Sequence, residues 1–403
     1  MKWKSHCLPS VFSFKKLIKI LQNTMRITIV GGGPAGLYLG YLLKRDHPDY
    51  SIEIFEHNPQ NSTWGFGVVF SHSALDFLKK DDPETYQRLL PEMETWVDLK
   101  LDLLGEKIVL DGIGFASIGR LKLLQILGER LAEIGVVPKY STSLNNLKQL
   151  QDRDLIIGAD GLNSMVREAS GFLFEIDLLS NFFAWYGTRK TFSSLTQTFR
   201  KSPWGPFNAH HYRYSPEMST FIIETDRETW EQSGFSRKSE MERIQVCEKI
   251  FEDVLDGEPL ISNHSIWRNF PILRCKNWYS GNIVLIGDAL HTAHFSIGSG
   301  TRLALEDSLE LARSFKDHGT DLPSALKTFE LERKPILQKL VDASLQSAHW
   351  YENFAENMKL PALEFAQTYL ARAGRIDEER MRINSPIFMA ELERYRSKSL
   401  KSS

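Results

Sequence analysis

The stretch RITIVGGGPAGLYLGYLLKR, residues 26–45, decides how the rest of the chain is read. From Ile27 to Leu43 it carries no charge, yet five glycines and a proline interrupt it. A membrane-spanning helix needs about 20 predominantly apolar residues, and glycine and proline at this density weaken one. The β-branched run Ile27-Thr28-Ile29-Val30 predicts a buried strand, and LYLGYLLK predicts a helix. Between them Gly31, Gly33 and Gly36 form GxGxxG, with Pro34 and Ala35 at the junction. Each glycine has a separate duty in a strand–turn–helix that cradles a pyrophosphate. The first makes the turn, the second admits the phosphate backbone, and the third lets helix and strand pack closely. The helix N-terminus adds free N–H groups and a positive dipole end.

Such a cradle also needs a carboxylate about 20 residues on, at the end of the next strand, to hold a ribose hydroxyl pair. SIEIFEH alternates as a strand does and supplies Glu56, twenty residues after Gly36. Strand, glycine turn, helix and acid occur in the required order, so the segment is read as a dinucleotide site.

The remaining composition sets limits. A chain of 403 residues suggests two or three domains, and 42% hydrophobic with 25% charged residues suits a globular protein. A net charge of −2 gives no general attraction to nucleic acid or anionic membrane, so neither is expected as a partner. Cys7, Cys247 and Cys275 lie far apart without CxxC, so no disulfide framework and no metal site is expected. That pattern fits a cytoplasmic location. Residues 1–24 hold five lysines and no acid and are read as an N-terminal extension. VFSFKKLIKIL within it has the makings of a short basic amphipathic helix; Met25 directly precedes the first strand.

Two further motifs follow. In DLIIGADGLNSMVR, residues 154–167, a strand runs into Asp160-Gly161, with Ser164 and Arg167 at the start of a helix. In NIVLIGDALHTAHFSIGSGTRLALEDSLELARSF, residues 282–315, a strand ends at Gly287-Asp288. A loop with His291, His294 and Phe295 comes next, and Gly298 and Gly300 open a second helix.

Taken in this order, the three motifs resemble the single-component FAD-dependent aromatic hydroxylases of the para-hydroxybenzoate hydroxylase fold. The resemblance covers about residues 25–315. It implies that Gly31, Gly33, Pro34, Ala35, Gly36 and Glu56 hold the ADP half of FAD. Asp160 matches the DG aspartate, and Arg120 in IGRLKLLQIL matches an arginine contacting phosphate or ribityl oxygens. Gly287 and Asp288 would meet the ribityl chain, and the Gly298–Gly300 turn would face the flavin ring. His294 and Phe295, in the loop beside that ring, are the expected catalytic positions. Many members carry GDAAHxxPP, whereas this chain has GDALHTAHF. WGFGVVFS, WYGT, HHYRYSPEMSTFIIE, WRNFP and HFSIGSGT resemble a narrower branch, the salicylyl-CoA and anthraniloyl-CoA hydroxylases and the tryptophan hydroxylase of violacein biosynthesis.

The implied fold class is α/β: a discontinuous Rossmann-like FAD-binding domain, an inserted α+β substrate domain of mixed or antiparallel sheet, and a C-terminal helical region. The expected boundaries are 25–180 and 275–320 for the FAD domain, 181–274 for the substrate domain and 321–403 for the helices, with Pro335 kinking or breaking the first of these. The implied reaction hydroxylates an electron-rich ring with NADPH or NADH and O2 through a flavin C4a-hydroperoxide. The substrate would be an aryl-CoA thioester or, alternatively, tryptophan or another indole, and the protein a monomer or homodimer. Trp185, Tyr186, His210, His211, Tyr212 and Tyr214 are further pocket candidates, although the two adjacent histidines must point to opposite faces of a strand. Rival readings keep the flavin without hydroxylation, as a redox sensor or dehydrogenase. A halogenase would need a WxWxIP motif, which is missing.

Overall fold

The computed structural model describes residues 24–402, so the basic stretch read as an N-terminal extension falls, apart from Thr24, outside the described residues. The nucleotide sheet has five strands in the order Tyr279–Ser280, Ile283–Leu285, Leu155–Gly158, Arg26–Val30, Ser51–Phe55. All neighbours are parallel except the edge hairpin. Ile27, Ile29, Leu155, Ile157, Val284 and Leu285 are fully buried, as parallel strands covered on both faces require. The helix Pro34–Asp46 follows the first strand and packs against the helix Gly300–His318, where Ser308 Oγ donates to the Ala35 carbonyl at 2.9 Å. Two chain segments more than 250 residues apart thus build one nucleotide layer.

The larger sheet runs Leu260–Ile261, Phe174–Thr188, Met218–Thr225, Gly205–Ser215, Thr196–Ser202, Leu99–Leu103, Glu106–Leu110, and Arg268–Cys275 also pairs with Phe174–Thr188. It is mixed, since Thr196–Ser202 pairs parallel to Leu99–Leu103. The strands do not respect the boundaries expected from sequence. Leu99–Leu103 and Glu106–Leu110 come from within 25–180, and Phe174–Thr188 crosses position 180. The reason is hydrogen bonding: the edge of Thr196–Ser202 is completed by the Leu99–Leu103 ladder rather than left open.

Strand alternation gives this sheet two faces. Glu224 pairs with both Phe183 and Asn208, and Ile222 with both Trp185 and His210, so these six share the face turned toward the nucleotide layer. Tyr186, Ala209, His211, Phe221 and Ile223 form the other face, packed with Trp230, Phe235, Cys247 and Phe251 beneath a cover of short helices.

The helix Leu322–Glu352 runs through Pro335 unbroken. Pro335 is exposed, as is Leu331, so the carbonyl that loses its donor lies on the solvent side. Four further helices, Phe354–Asn357, Ala362–Ala371, Glu378–Asn384 and Pro386–Ser402, follow among the described residues. Phe365, Tyr369, Met381 and Phe388 pack on Leu101, Ile108 and Leu110 of the large sheet. Among the described residues, no helix is long and apolar enough to cross a membrane.

Candidate active site

The glycine turn behaves as its sequence demands. Gly31 has φ +111°, and a Cβ there would lie 2.2 Å from the Ala159 carbonyl oxygen. A Cβ at Gly36 would lie 2.0 Å from the Gly31 carbonyl oxygen. At Gly33, which caps the helix Pro34–Asp46, a Cβ would meet nothing within 4 Å, so the helix N-terminus faces open space. Glu56 ends its strand buried. Its Oε2 accepts from the Gly32 N–H at 2.7 Å, and Oε1 accepts from the Asn58 N–H at 2.7 Å and side-chain amide at 2.8 Å. A carboxylate has about four acceptor positions, so capacity for a ligand hydroxyl remains.

Three cavities meet around Arg120, which borders all of them. The first passes Gly33, Glu56, Asn58 and Asp160; the next passes Asp160, Leu162, Trp185, Arg268 and Asp288. The last is a chamber of about 330 Å³ between the nucleotide layer and the large sheet. Arg120 starts the helix Arg120–Glu133, and its Nε donates to Thr63 Oγ1 at 2.9 Å. Its enclosure holds the guanidinium pKa below the ordinary value, with Asp288 and Glu56 opposing.

Asp160 has two faces. Its carboxylate accepts from Ser164 Oγ at 2.5 Å and from the Val166 N–H at 3.2 Å, so it caps the helix that follows it. The same side chain borders two of the cavities. Burial raises its pKa, against the opposing hydrogen bond from Ser164. Arg167, buried below, donates to the Ala289 carbonyl at 2.9 Å and ties the DG turn to the GD turn.

The GD turn is clamped from behind. Gly287 has φ +59°, and its N–H donates to Asp307 Oδ2 at 3.0 Å. Asp307 is completely buried and also engages His291 Nε2 at 2.7 Å and Arg333 Nε at 2.8 Å. Burial alone would raise its pKa, but His291 and Arg333 hold it below the ordinary carboxylate range. Asp288, one residue on, is exposed, its side chain opening onto the cavities. Desolvation by the protein packed around the cavities raises its pKa, against the charges of His291 and Arg120.

The chamber itself is lined by Phe183, Trp185, Tyr212, Phe270 and Phe295, with His210 and Gln197 among them. Gly298, with φ +60°, brings the loop against Val69; Ser299 and Gly300 present the start of the 19-residue helix to the chamber. His294 is not part of this lining. It stands one layer behind Phe295, its N–H donating to Ser344 Oγ at 3.3 Å, its ring edge-on to Phe270 at 4.8 Å. Burial lowers its pKa to about 4, with Glu224 opposing. The loop turns that way because His294 caps the short turn Phe295–Ile297, its Nδ1 accepting from the Ser296 N–H at 3.4 Å. Of the other aromatic candidates, Trp185, His210 and Tyr212 border the chamber, whereas Tyr186 and His211 lie on the opposite sheet face and Tyr214 packs near Gly67 and Gly119.

Sequence reading missed Phe183, Gln197 and Phe270 of this lining, and with them Arg268, Tyr369 and Arg372. Arg268 sits in WRNFP, a stretch noticed only for its resemblance, and reaches two cavities. Tyr369 and Arg372 come from the C-terminal helices, where nothing in TYLARAGR sets them apart. Arg372 lies 3.8 Å from the Tyr369 ring centroid and donates to the Ser296 carbonyl at 3.1 Å.

A glycine cradle, a ribose-type acid, a cavity running past Arg120 and Asp288, and an aromatic chamber at its end define an FAD-dependent enzyme with a covered ring-binding site. The FAD binding domain family matches residues 133–344, and the NAD(P)-binding Rossmann-like domain matches residues 29–76. Salicyloyl-CoA 5-hydroxylase of Streptomyces sp. is 36% identical over 87% of this chain and 70% of its own length. Protodeoxyviolaceinate monooxygenase of Chromobacterium violaceum is 32% identical over 86% of this chain and 94% of its own. The solved structure of 2-methyl-3-hydroxypyridine-5-carboxylic acid oxygenase, 17% identical, shares the fold with a TM-score of 0.67 over 87% of this chain and 96% of that one. The chain belongs to the FAD binding domain family, and within it to the aromatic hydroxylases that use FAD and NAD(P)H.

Proposed function

We propose that this hydroxylase acts on an electron-rich aromatic acid carried as a coenzyme A thioester. The observation that carries the reading is the match to the Streptomyces enzyme, 36% identical over 87% of this chain. The chamber's size and lining support it, since about 330 Å³ walled by aromatic rings suits a single substituted ring. A second reading, hydroxylation of tryptophan or another indole, is favoured by the nearly full-length match to the Chromobacterium enzyme.

In this reading Gly31, Gly33, Pro34, Ala35, Gly36 and Glu56 hold the ADP half of FAD, and the open space before Gly33 leaves room for its pyrophosphate. Arg120 and Asp160 flank the middle of the cofactor, and Gly287 and Asp288 meet the ribityl chain. Bound FAD supplies the two-electron and O2 chemistry. The protein orients the ring system, excludes water and stabilises charge. The helix start at Ser299–Gly300 turns free N–H groups toward the chamber and favours negative charge there. Phe295 and Phe183, 4.9 Å apart, wall the chamber and help keep it dry. Only one glycine cradle was found in the sequence, so NADH or NADPH docks transiently. Single-turnover assays with salicylyl-CoA, anthraniloyl-CoA and tryptophan test the proposal. A CoA ester is expected to stimulate NAD(P)H oxidation and to gain one oxygen atom by mass spectrometry. Turnover of tryptophan alone would overturn the thioester reading in favour of the second.

A further inference from the structure

We propose that His210, held by Glu224, is the acceptor that receives the ring hydroxyl or amino hydrogen of the substrate. The inference rests on the aromatic-hydroxylase reading of the chamber but not on the thioester.

The two residues come from adjacent antiparallel strands, two positions apart in register, so their side chains lie diagonally on one face. His210 Nε2 stands 3.6 Å from Glu224 Oε2. Both residues are buried, and neither of these atoms has a hydrogen-bond partner among the described residues. Their separation lies just beyond hydrogen-bond distance, so a small shift of either side chain joins the pair. Glu224 is steadied on its other side, where Asn181 Nδ2 donates to Oε1 at 2.9 Å and also to the Tyr351 carbonyl at 2.9 Å.

Of the other polar groups on the sheet side of the chamber, Trp185 Nε1 is a buried donor with no hydrogen-bond partner among the described residues, whereas the Tyr212 hydroxyl hydrogen and the Gln197 side-chain oxygen are engaged. Tyr212 donates to the Gly67 carbonyl at 2.9 Å, and Gln197 Oε1 accepts from the Tyr351 hydroxyl at 3.2 Å. His210 borders the chamber between the Phe295 and Tyr351 rings, at 5.2 and 4.9 Å from their centroids. With Nε2 turned toward Glu224, Nδ1 is the nitrogen left for a ligand. When Nε2 carries the hydrogen, Nδ1 holds a lone pair and accepts. The charged and titratable groups around the pair are Arg372, His294, Tyr351 and Glu352. Burial, aided by Arg372, pushes the His210 pKa down to about 3, so the ring stays neutral at working pH. A neutral acceptor in an apolar chamber selects rings bearing O–H or N–H, because the analogue without one leaves the site unpaired.

The test uses the FAD-loaded enzyme with phenol and toluene as probes, each titrated by the change in flavin absorbance. A chamber without an acceptor favours toluene, the more apolar ring. The wild-type protein is expected to bind phenol more tightly than toluene. In His210→Leu the ratio should swing about tenfold toward toluene, while His210→Gln, which keeps an acceptor oxygen, should retain much of the phenol preference. Glu224→Leu should fall between the two. A wild-type preference for toluene, or an unchanged ratio in His210→Leu, would overturn the proposal. If His210→Leu fails to retain flavin, the wild-type and His210→Gln ratios decide. Failure of every CoA ester to turn over would remove the thioester reading and leave this ratio unaffected.

Discussion

Glu56 and the pair His294–Phe295 show how much a single residue's surroundings decide. Glu56 is already bonded to Gly32 and Asn58, so it both shapes the turn and offers lone pairs outward. Glu56→Ala should weaken FAD binding, since charge-assisted hydrogen bonds contribute roughly 1.5–3 kcal/mol each. Fluorescence titration with FAD reads this directly; an unchanged Kd would make Glu56 purely structural. His294 and Phe295 are neighbours with different exposures to the chamber. His294→Ala empties a buried site behind the wall and should lower Tm while leaving most of the coupling of product to NAD(P)H intact. Phe295→Ala opens the wall itself, and a site that water can enter should release more hydrogen peroxide per NAD(P)H consumed. Peroxide yield and Tm, measured on the same preparations, distinguish the two; equal uncoupling in both would return His294 to the lining.

At the scale of elements, the two turns proposed to grip the cofactor are held by different means. The first turn depends on missing side chains. Gly36→Ala would press a Cβ on the Gly31 carbonyl and should destabilise the protein even without FAD, whereas Gly33→Ala has φ −75° and free space. The Gly33 variant should therefore melt as the wild-type apoprotein does and lose affinity for FAD. Equal apoprotein Tm values for the two would contradict the packing argument. The second turn depends on a buried charge. Asp307 fastens Gly287 and His291 while paired to Arg333, and removing one partner of such a cluster costs about 3–5 kcal/mol. Its pKa is depressed in the folded protein, so its contribution is complete above the unfolded value near 4 and is lost as pH falls through the lower folded value. Wild-type stability should drop over that acid range, and Asp307→Asn should be less stable at neutral pH with a shallower acid dependence. Denaturant melts at pH 3, 4 and 7 measure both.

Over the whole molecule, the proposed cofactor path threads segments that are far apart in sequence. The cradle comes from residues near 30, the DG turn from 160 and the GD turn from 288, while the chamber also takes Tyr369 and Arg372 from the C-terminal helices. A ligand that bridges these segments binds the folded state alone. FAD at about 100 times its Kd should then add about 2.7 kcal/mol and raise Tm, with one FAD bound per chain. Absence of a concentration-dependent shift would mean that the cavities do not receive it as a unit.

Much of this was legible in the chain before any fold was known. GxGxxG after a β-branched strand, an acid twenty residues on, and the DG and GD motifs in order each depend on local geometry, and local geometry is written in adjacent residues. The parallel sheet and the class of chemistry followed from them. Other features depended on which distant surfaces meet. Adjacent histidines at 210 and 211 had to point apart, but only the packed sheet shows that His210 takes the chamber and His211 the core. His294 read as a residue beside the flavin because its loop follows the GD motif; the cap on Ser296 and the contact with Ser344 turn it away. Strand Leu99–Leu103 joined the substrate sheet because an edge hydrogen-bond ladder needed a partner, a requirement with no local signature. Motifs record what a stretch of backbone must do by itself, whereas the identity of the chamber wall is settled by long-range packing among side chains that are ordinary in their own segments.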